Sequence, residues 1–266
     1  MSSPLNRSAF GTLRKDIFFR DWPLDHEITA ISSAEPSHRF LQNPAGQYAY
    51  IYLTQYVRAV SERHFGFPFG EVDILDWGCG KGHVSKLLRN LSPGKLRSCD
   101  VQAEKADSAF GQSAPILERF QITVDPLHHP SAIPYPDDSF HVVVSFGVLE
   151  HVPDDAASIV EITRILKLGG LFFCFFLPTR LSWTQAISRM GGNNYHDRLY
   201  TPASIETLLT PVKLELCDLW YRSLLPKNSI NYPAFRLFER ADQWMTNHTP
   251  LRYLATNIEF VACKTK

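Results

Sequence analysis

The stretch ILDWGCGKGHVS, residues 74–85, reads as a strand, a tight loop and the start of a helix. An apolar run ends at Trp77, glycines follow at 78, 80 and 82, and VSKLLRNL then has the composition of a helix. Glycine lets the backbone turn sharply and approach a ligand where a Cβ would collide. The helix start adds unpaired N–H groups. A dinucleotide fingerprint, G-x-G-x-x-G, would place its third glycine at position 83. That residue is His83, and Asp76, two places before the first glycine, would repel a pyrophosphate. The loop suits a nucleoside ligand that carries an amino acid end and a positive charge, with Asp76 near that end.

Outward from this loop, the 266 residues and their 44% hydrophobic content are ample for one large core. Lys+Arg and Asp+Glu both total 27, so no global positive field gathers nucleic acid or anionic membrane. Five cysteines, scattered and without zinc-site spacing, read as reduced thiols of a cytoplasmic protein. The N-terminus lacks the apolar core of a secretion signal, and the run from Leu171 to Leu177 is too short to cross a bilayer.

The order of elements predicts an α/β fold. VDILDW, KLRSCD, RFQITVD, FHVVVSF and LGGLFFCFFL alternate with helical segments near 82–91, 103–110 and 155–166. This rhythm indicates βαβ units, hence a mostly parallel sheet with helices on both faces. Residues 1–69 read as an N-terminal arm, irregular to about 44, followed by a helix over 46–65, together covering an active site. Residues 70–266 form the main domain, with a loop-rich substrate-side insertion around 178–200 and a helical insertion around 226–250. Thr201 and Pro202 start a helix as N-cap and first residue. VKLELCDLWY, a helix near 233–246 and the strand NIEFVACKT close the chain.

Asp100 ends KLRSCD about 22 positions after Gly78, where a carboxylate can accept both hydroxyls of a ribose. Asp125, ending RFQITVD, is a candidate partner for an adenine amino group. With IPYPDDSFHVVVSFGVLEHVPD (133–154) and ILKLGGLFF (165–173), these motifs resemble the class I S-adenosylmethionine-dependent methyltransferases that act on small molecules, including ubiquinone-biosynthesis O-methyltransferases. The resemblance covers about residues 70–177 and is specific for cofactor rather than substrate. It implies a Rossmann-like seven-stranded sheet with an antiparallel last strand. By position it also implies S-adenosylmethionine held by Asp76, Gly78, Cys79, Gly80, Asp100, Val101 and Phe146.

Metal-dependent relatives carry E-x-x-E-H where this chain has Gly147, Glu150 and His151. Two ligands rarely hold Mg²⁺, so no metal is expected. Methyl transfer needs chiefly in-line positioning, and a base only for a poorly acidic hydroxyl or a protonated amine. The base candidates are His151, after the fourth strand, His196 in NNYHDRLYTP, and Glu150. Tyr195 and Arg198 are candidates for orienting a polar substrate. The aromatic C-terminal third, with Trp183, Trp220, Tyr221, Tyr232, Phe235 and Phe238, suggests a pocket for a small metabolite or a glycan intermediate. A nucleic-acid methyltransferase would need a basic channel that the sequence does not advertise. The third reading is a partner protein that keeps the cofactor fold without catalysis.

Overall fold

The computed structural model describes residues 7–19, 26–101, 115–192, 198–232 and 234–266. Its strands are β1 (Asp73–Trp77), β2 (Lys95–Val101), β3 (Asp125–Leu127), β4 (Phe140–Phe146), β5 (Leu166–Pro178), β6 (Leu214–Arg222) and β7 (Asn257–Lys264). They form one seven-stranded sheet in the order β3-β2-β1-β4-β5-β7-β6. The first five pair parallel, and β7 runs antiparallel to both β5 and β6. Six strands therefore end at one edge, with the start of β7 beside them. Ligands gather at that edge in open parallel sheets.

Successive residues of a strand point to opposite faces, and the central strands are apolar on both. Ile74, Val142, Val144, Phe173 and Val261 belong to a core shared with α3 (Pro44–Phe65) and α4 (His83–Asn90). Leu75, Val143, Phe172, Cys174 and Phe260 belong to a second core, shared with α6 (Asp155–Ile165) and α8 (Pro202–Leu209). At roughly 25 cal/mol per Å² of buried apolar surface, these two cores are the main source of stability. α8 begins as expected at Thr201, which with Ser204 forms a capping box. α3 begins two residues early, because Asn43 caps it through Gly46 N–H at 2.9 Å and Pro44 takes the first position.

Three regions differ from the sequence reading. The arm contains α1 (Arg7–Phe19) and α2 (His26–Ala34) instead of short turns. RFQITVD yields only the three-residue β3, because Arg119 ends the short α5 (Pro115–Arg119) and the chain folds back there. The amides of Phe120 and Ile122 bond to Ile116 and Leu117, and Arg89 takes the carbonyls of Phe120 and Gln121. The loop-rich insertion contains α7 (Trp183–Met190), started by Ser182, whose hydroxyl accepts from Gln185 N–H. The helix expected near 103–110 lies outside the described residues.

Candidate active site

The glycine loop connects β1 to α4 with left-handed backbone at Gly78, Gly80 and Gly82 (φ 74°, 50° and 82°). The N–H groups of Gly78 and Cys79 donate to Cys99 O at 2.9 and 3.1 Å, stitching the loop to β2. A Cβ at Gly78 would stand 2.5 Å from Val148 Cγ2, so the loop touches the segment that follows β4. Cys79 is buried, and burial holds its thiol protonated.

Asp76 and Asp100 flank this loop. Asp76 is buried beneath it, where Oδ2 accepts from Ser85 Oγ at 2.6 Å, and burial raises its pKa to about 7. It fastens β1 to the first turn of α4. Asp100, at the end of β2, accepts from Gly80 N–H at 2.5 Å with Oδ2 and from Val101 N–H at 2.7 Å with Oδ1. Burial raises its pKa, and the two amide donors oppose that shift. Each oxygen keeps acceptor capacity, and Val101 beside it is exposed.

β4 delivers Phe146, Gly147, Glu150 and His151 to the same edge. Gly147 has φ 69°, and a Cβ there would lie 3.6 Å from Glu150 Oε1 and 3.7 Å from Phe176 Cβ. Glu150 is 1% exposed, and Oε2 has no hydrogen-bond partner among the described residues. Burial, with a smaller contribution from Glu259, raises its pKa to about 8. His151 is an exposed neighbour, with Nε2 at 3.8 Å from Glu150 Oε1. Arg198, considered above as a substrate contact, instead binds the carbonyls of Val152 and Pro153. Tyr200 Oη donates to Leu149 O at 3.1 Å.

Beyond Gly147 lies a charged pair that the sequence reading missed. Arg222 ends β6 and Glu259 is the third residue of β7, 4% and 0% exposed. Arg222 Nε donates to Glu259 Oε1 at 2.7 Å, and Glu259 Oε2 accepts from Phe176 N–H at 2.9 Å. Phe176 sits in the left-handed region (φ 65°), a backbone conformation that costs an aromatic residue on the order of 1–3 kcal/mol. The Arg222 guanidinium lies over its ring at 4.6 Å, and Nη2 of Arg222 has no partner among the described residues.

The arm closes over these groups. Lys81 of the loop pairs with Glu35 at 3.1 Å and donates to Ser37 Oγ at 3.2 Å. The His83 ring lies 4.9 Å from His38 and 4.5 Å from Tyr50, and burial lowers its pKa to about 3, leaving it neutral. Tyr50 and Phe40 pack on Phe176 at 5.3 and 5.7 Å, and Phe146 completes the wall at 5.8 Å from Phe176.

Other expected contacts lie elsewhere. Asp125 is held by Arg97 (2.8 Å to Nε and 2.6 Å to Nη2) and by the Tyr135 hydroxyl. Its register partner is Cys99, one place from Asp100, so its side chain leaves the opposite face. The turn beside Asp100 is 128–132, since Val101 pairs with Leu127, and there His129 Nδ1 accepts from Ser131 N–H at 3.2 Å. Trp220 and Phe235 are core residues. The ring wall comes from Phe40, Tyr50, Phe146 and Phe176. His196 and Tyr195 lie outside the described residues. Among the described residues no three His, Cys, Asp or Glu side chains are grouped to hold a metal ion. No described helix is long and apolar enough to cross a membrane.

Residues 75–174 match a sequence family described as a methyltransferase domain. A probable S-adenosylmethionine-dependent methyltransferase of Mycolicibacterium smegmatis is 30% identical over 147 residues, 55% of this chain and 53% of that protein. A ubiquinone biosynthesis O-methyltransferase of Cereibacter sphaeroides is 29% identical over 126 residues, 46% of this chain and 49% of that protein. The chain spans about half the length of these curated relatives. Among solved structures, a possible histamine N-methyltransferase from Thermotoga maritima superposes with a TM-score of 0.56 at 15% identity, covering 90% of this chain and 99% of that one. A [4+2]-cyclase shares the fold as well, with a TM-score of 0.52 at 20% identity over 82% of this chain and 83% of that one.

Proposed function

We propose, on the premise that residues 75–174 form a methyltransferase domain of the S-adenosylmethionine-dependent family, that this chain methylates an oxygen or nitrogen of a small metabolite or glycan intermediate. The observation that carries the reading is the meeting, at one edge of the sheet, of a glycine loop clamped by Asp100 with the buried carboxyl group of Glu150, whose Oε2 has no partner among the described residues. The residues present fit the cofactor. Asp100 has acceptor capacity for ribose hydroxyls, and the turn at 128–132, rather than Asp125, lies where an adenine edge would be met. Gly78, Cys79 and Gly80 form the cradle, with buried Asp76 beneath them favouring a cationic ligand. When bound, S-adenosylmethionine supplies an electrophilic methyl group on a positively charged sulfur.

The remaining chemistry belongs to the chain. Phe40, Tyr50, Phe146 and Phe176 form an apolar wall suited to excluding water and orienting a flat or apolar acceptor. Arg222 offers Nη2–H to an acceptor oxygen, while Glu259 fixes the guanidinium and the Phe176 amide. Glu150, whose pKa is raised to about 8, takes the acceptor's proton at Oε2 in its ionised form, the fraction of which grows as pH rises toward 8, with His151 beside it to pass the proton to water. The arm, packed on Lys81, His83 and Phe176, covers the site.

The test is incubation with S-adenosylmethionine labelled at the methyl group and a cell extract separated into small-molecule, nucleic-acid and protein fractions. Label should enter the small-molecule fraction and be lost with Asp100→Ala. Label confined to nucleic acid, or absent from every fraction, would overturn the reading.

A further inference from the structure

The segments that leave β5 and β6 at the ligand edge, residues 179–192 and 223–256, have an unusual surface. Their described carboxylates are Glu239 and Asp242 on α9 (Ala234–His248), and both are buried. Buried Lys227 pairs with both, at 2.8 Å to Asp242 Oδ2. No described acidic side chain in these segments reaches water. Arg180, Arg189 and Arg240 are exposed, and Arg236 and Arg252 are partly so. The chain carries equal totals of acidic and basic residues, so this is local segregation rather than a basic composition.

Large apolar side chains stand among these arginines. Leu237 is 71% exposed and Trp244 61%, and Leu251 follows at 43% in the turn after the helix. The spacing of seven aligns Leu237 with Trp244 along one side of α9. On α7, Ile187 is 60% and Met190 88% exposed. The two segments adjoin, because Trp183 Nε1 donates to Leu224 O at 2.7 Å and Thr184 Oγ1 lies 3.0 Å from Thr256 Oγ1.

We propose that the exposed side of α9, with α7 on the adjoining segment, docks the protein on an anionic lipid bilayer. An apolar line containing tryptophan, edged by arginines and cleared of carboxylates, is the chemistry of a helix lying in the headgroup layer. A second copy of the chain fits less well, since a two-fold contact would bring arginine against arginine. Asp242 also accepts from the N–H groups of Ser223 and Leu225, which anchors α9 to the chain leaving β6 at Arg222. The docking face is thereby joined to the acceptor end of the site, yet its evidence is independent of methyl transfer.

The test is flotation of the intact protein with vesicles of phosphatidylcholine alone or mixed equally with phosphatidylglycerol, at about 0.1 M salt. Binding should require the anionic lipid, resist free inorganic phosphate, and fall about tenfold or more in Arg189→Glu/Arg240→Glu and in Leu237→Glu/Trp244→Glu. Unfolding midpoints of both variants should match the parent, because the four positions are exposed. The proposal is overturned by equal binding to both vesicles or by none. It is also overturned by binding that neither variant weakens, or by a dimer that Leu237→Glu/Trp244→Glu dissolves while the parent ignores vesicles.

Discussion

Glu150→Gln should flatten the pH dependence of stability, and the structure sets both sign and size. Burial raises the Glu150 pKa from 4.5 to about 8. The folded state therefore holds a proton that the unfolded chain releases above about pH 4.5. Stability from this residue is fully present below that value and declines as pH rises, until the loss saturates above about pH 8. At roughly 1.4 kcal/mol per pH unit, the shift corresponds to at most about 5 kcal/mol, and relaxation or water entry in the buried site will reduce it. The amide of glutamine keeps the shape and stays neutral at every pH. Urea unfolding of both proteins between pH 5 and 9 measures the difference directly, since all other titrations cancel. Glu150→Gln should gain stability relative to the parent by a few kcal/mol across that range. Parallel curves would show that Glu150 is ionised in the folded protein and refute its role as a proton acceptor with raised pKa.

Gly78→Val should destabilise by several kcal/mol in thermal unfolding, because a Cβ there meets Val148 at 2.5 Å on left-handed backbone. Glu259→Gln leaves the buried Arg222 charge uncompensated and should lose about 3–5 kcal/mol in urea unfolding. In Glu259→Gln/Arg222→Met much of that stability should return while acceptor methylation stays impaired. Asp125→Asn should leave affinity for S-adenosylmethionine within about twofold, since Asp125 bonds Arg97 and Tyr135.

Features of the site that depend on neighbours in sequence were legible. Glycines at 78, 80 and 82 after an apolar run and before a helix act within one loop, and Asp100 lies one strand further on. Features that depend on distant segments were not. Asp125 looks available until Arg97 and Tyr135 arrive from β2 and the 133–139 segment. Arg222 and Glu259 are 37 residues apart and become partners only because β6 and β7 pair. RFQITVD has strand composition, yet carbonyls captured by Arg89 and amides bonded into α5 leave three residues for the sheet. α7 was hidden because a single turn of apolar residues between polar ones signals helix weakly. Equal charge totals likewise hid the segregation of arginines on α7 and α9.

Calorimetric titration of the intact protein tests most directly whether the glycine loop and Asp100 hold S-adenosylmethionine. The parent should bind one equivalent, and Asp100→Ala should bind at least about tenfold more weakly, because a charge-assisted hydrogen bond contributes roughly 1.5–3 kcal/mol. No heat of binding at millimolar cofactor, or equal affinity in the two proteins, would contradict the account.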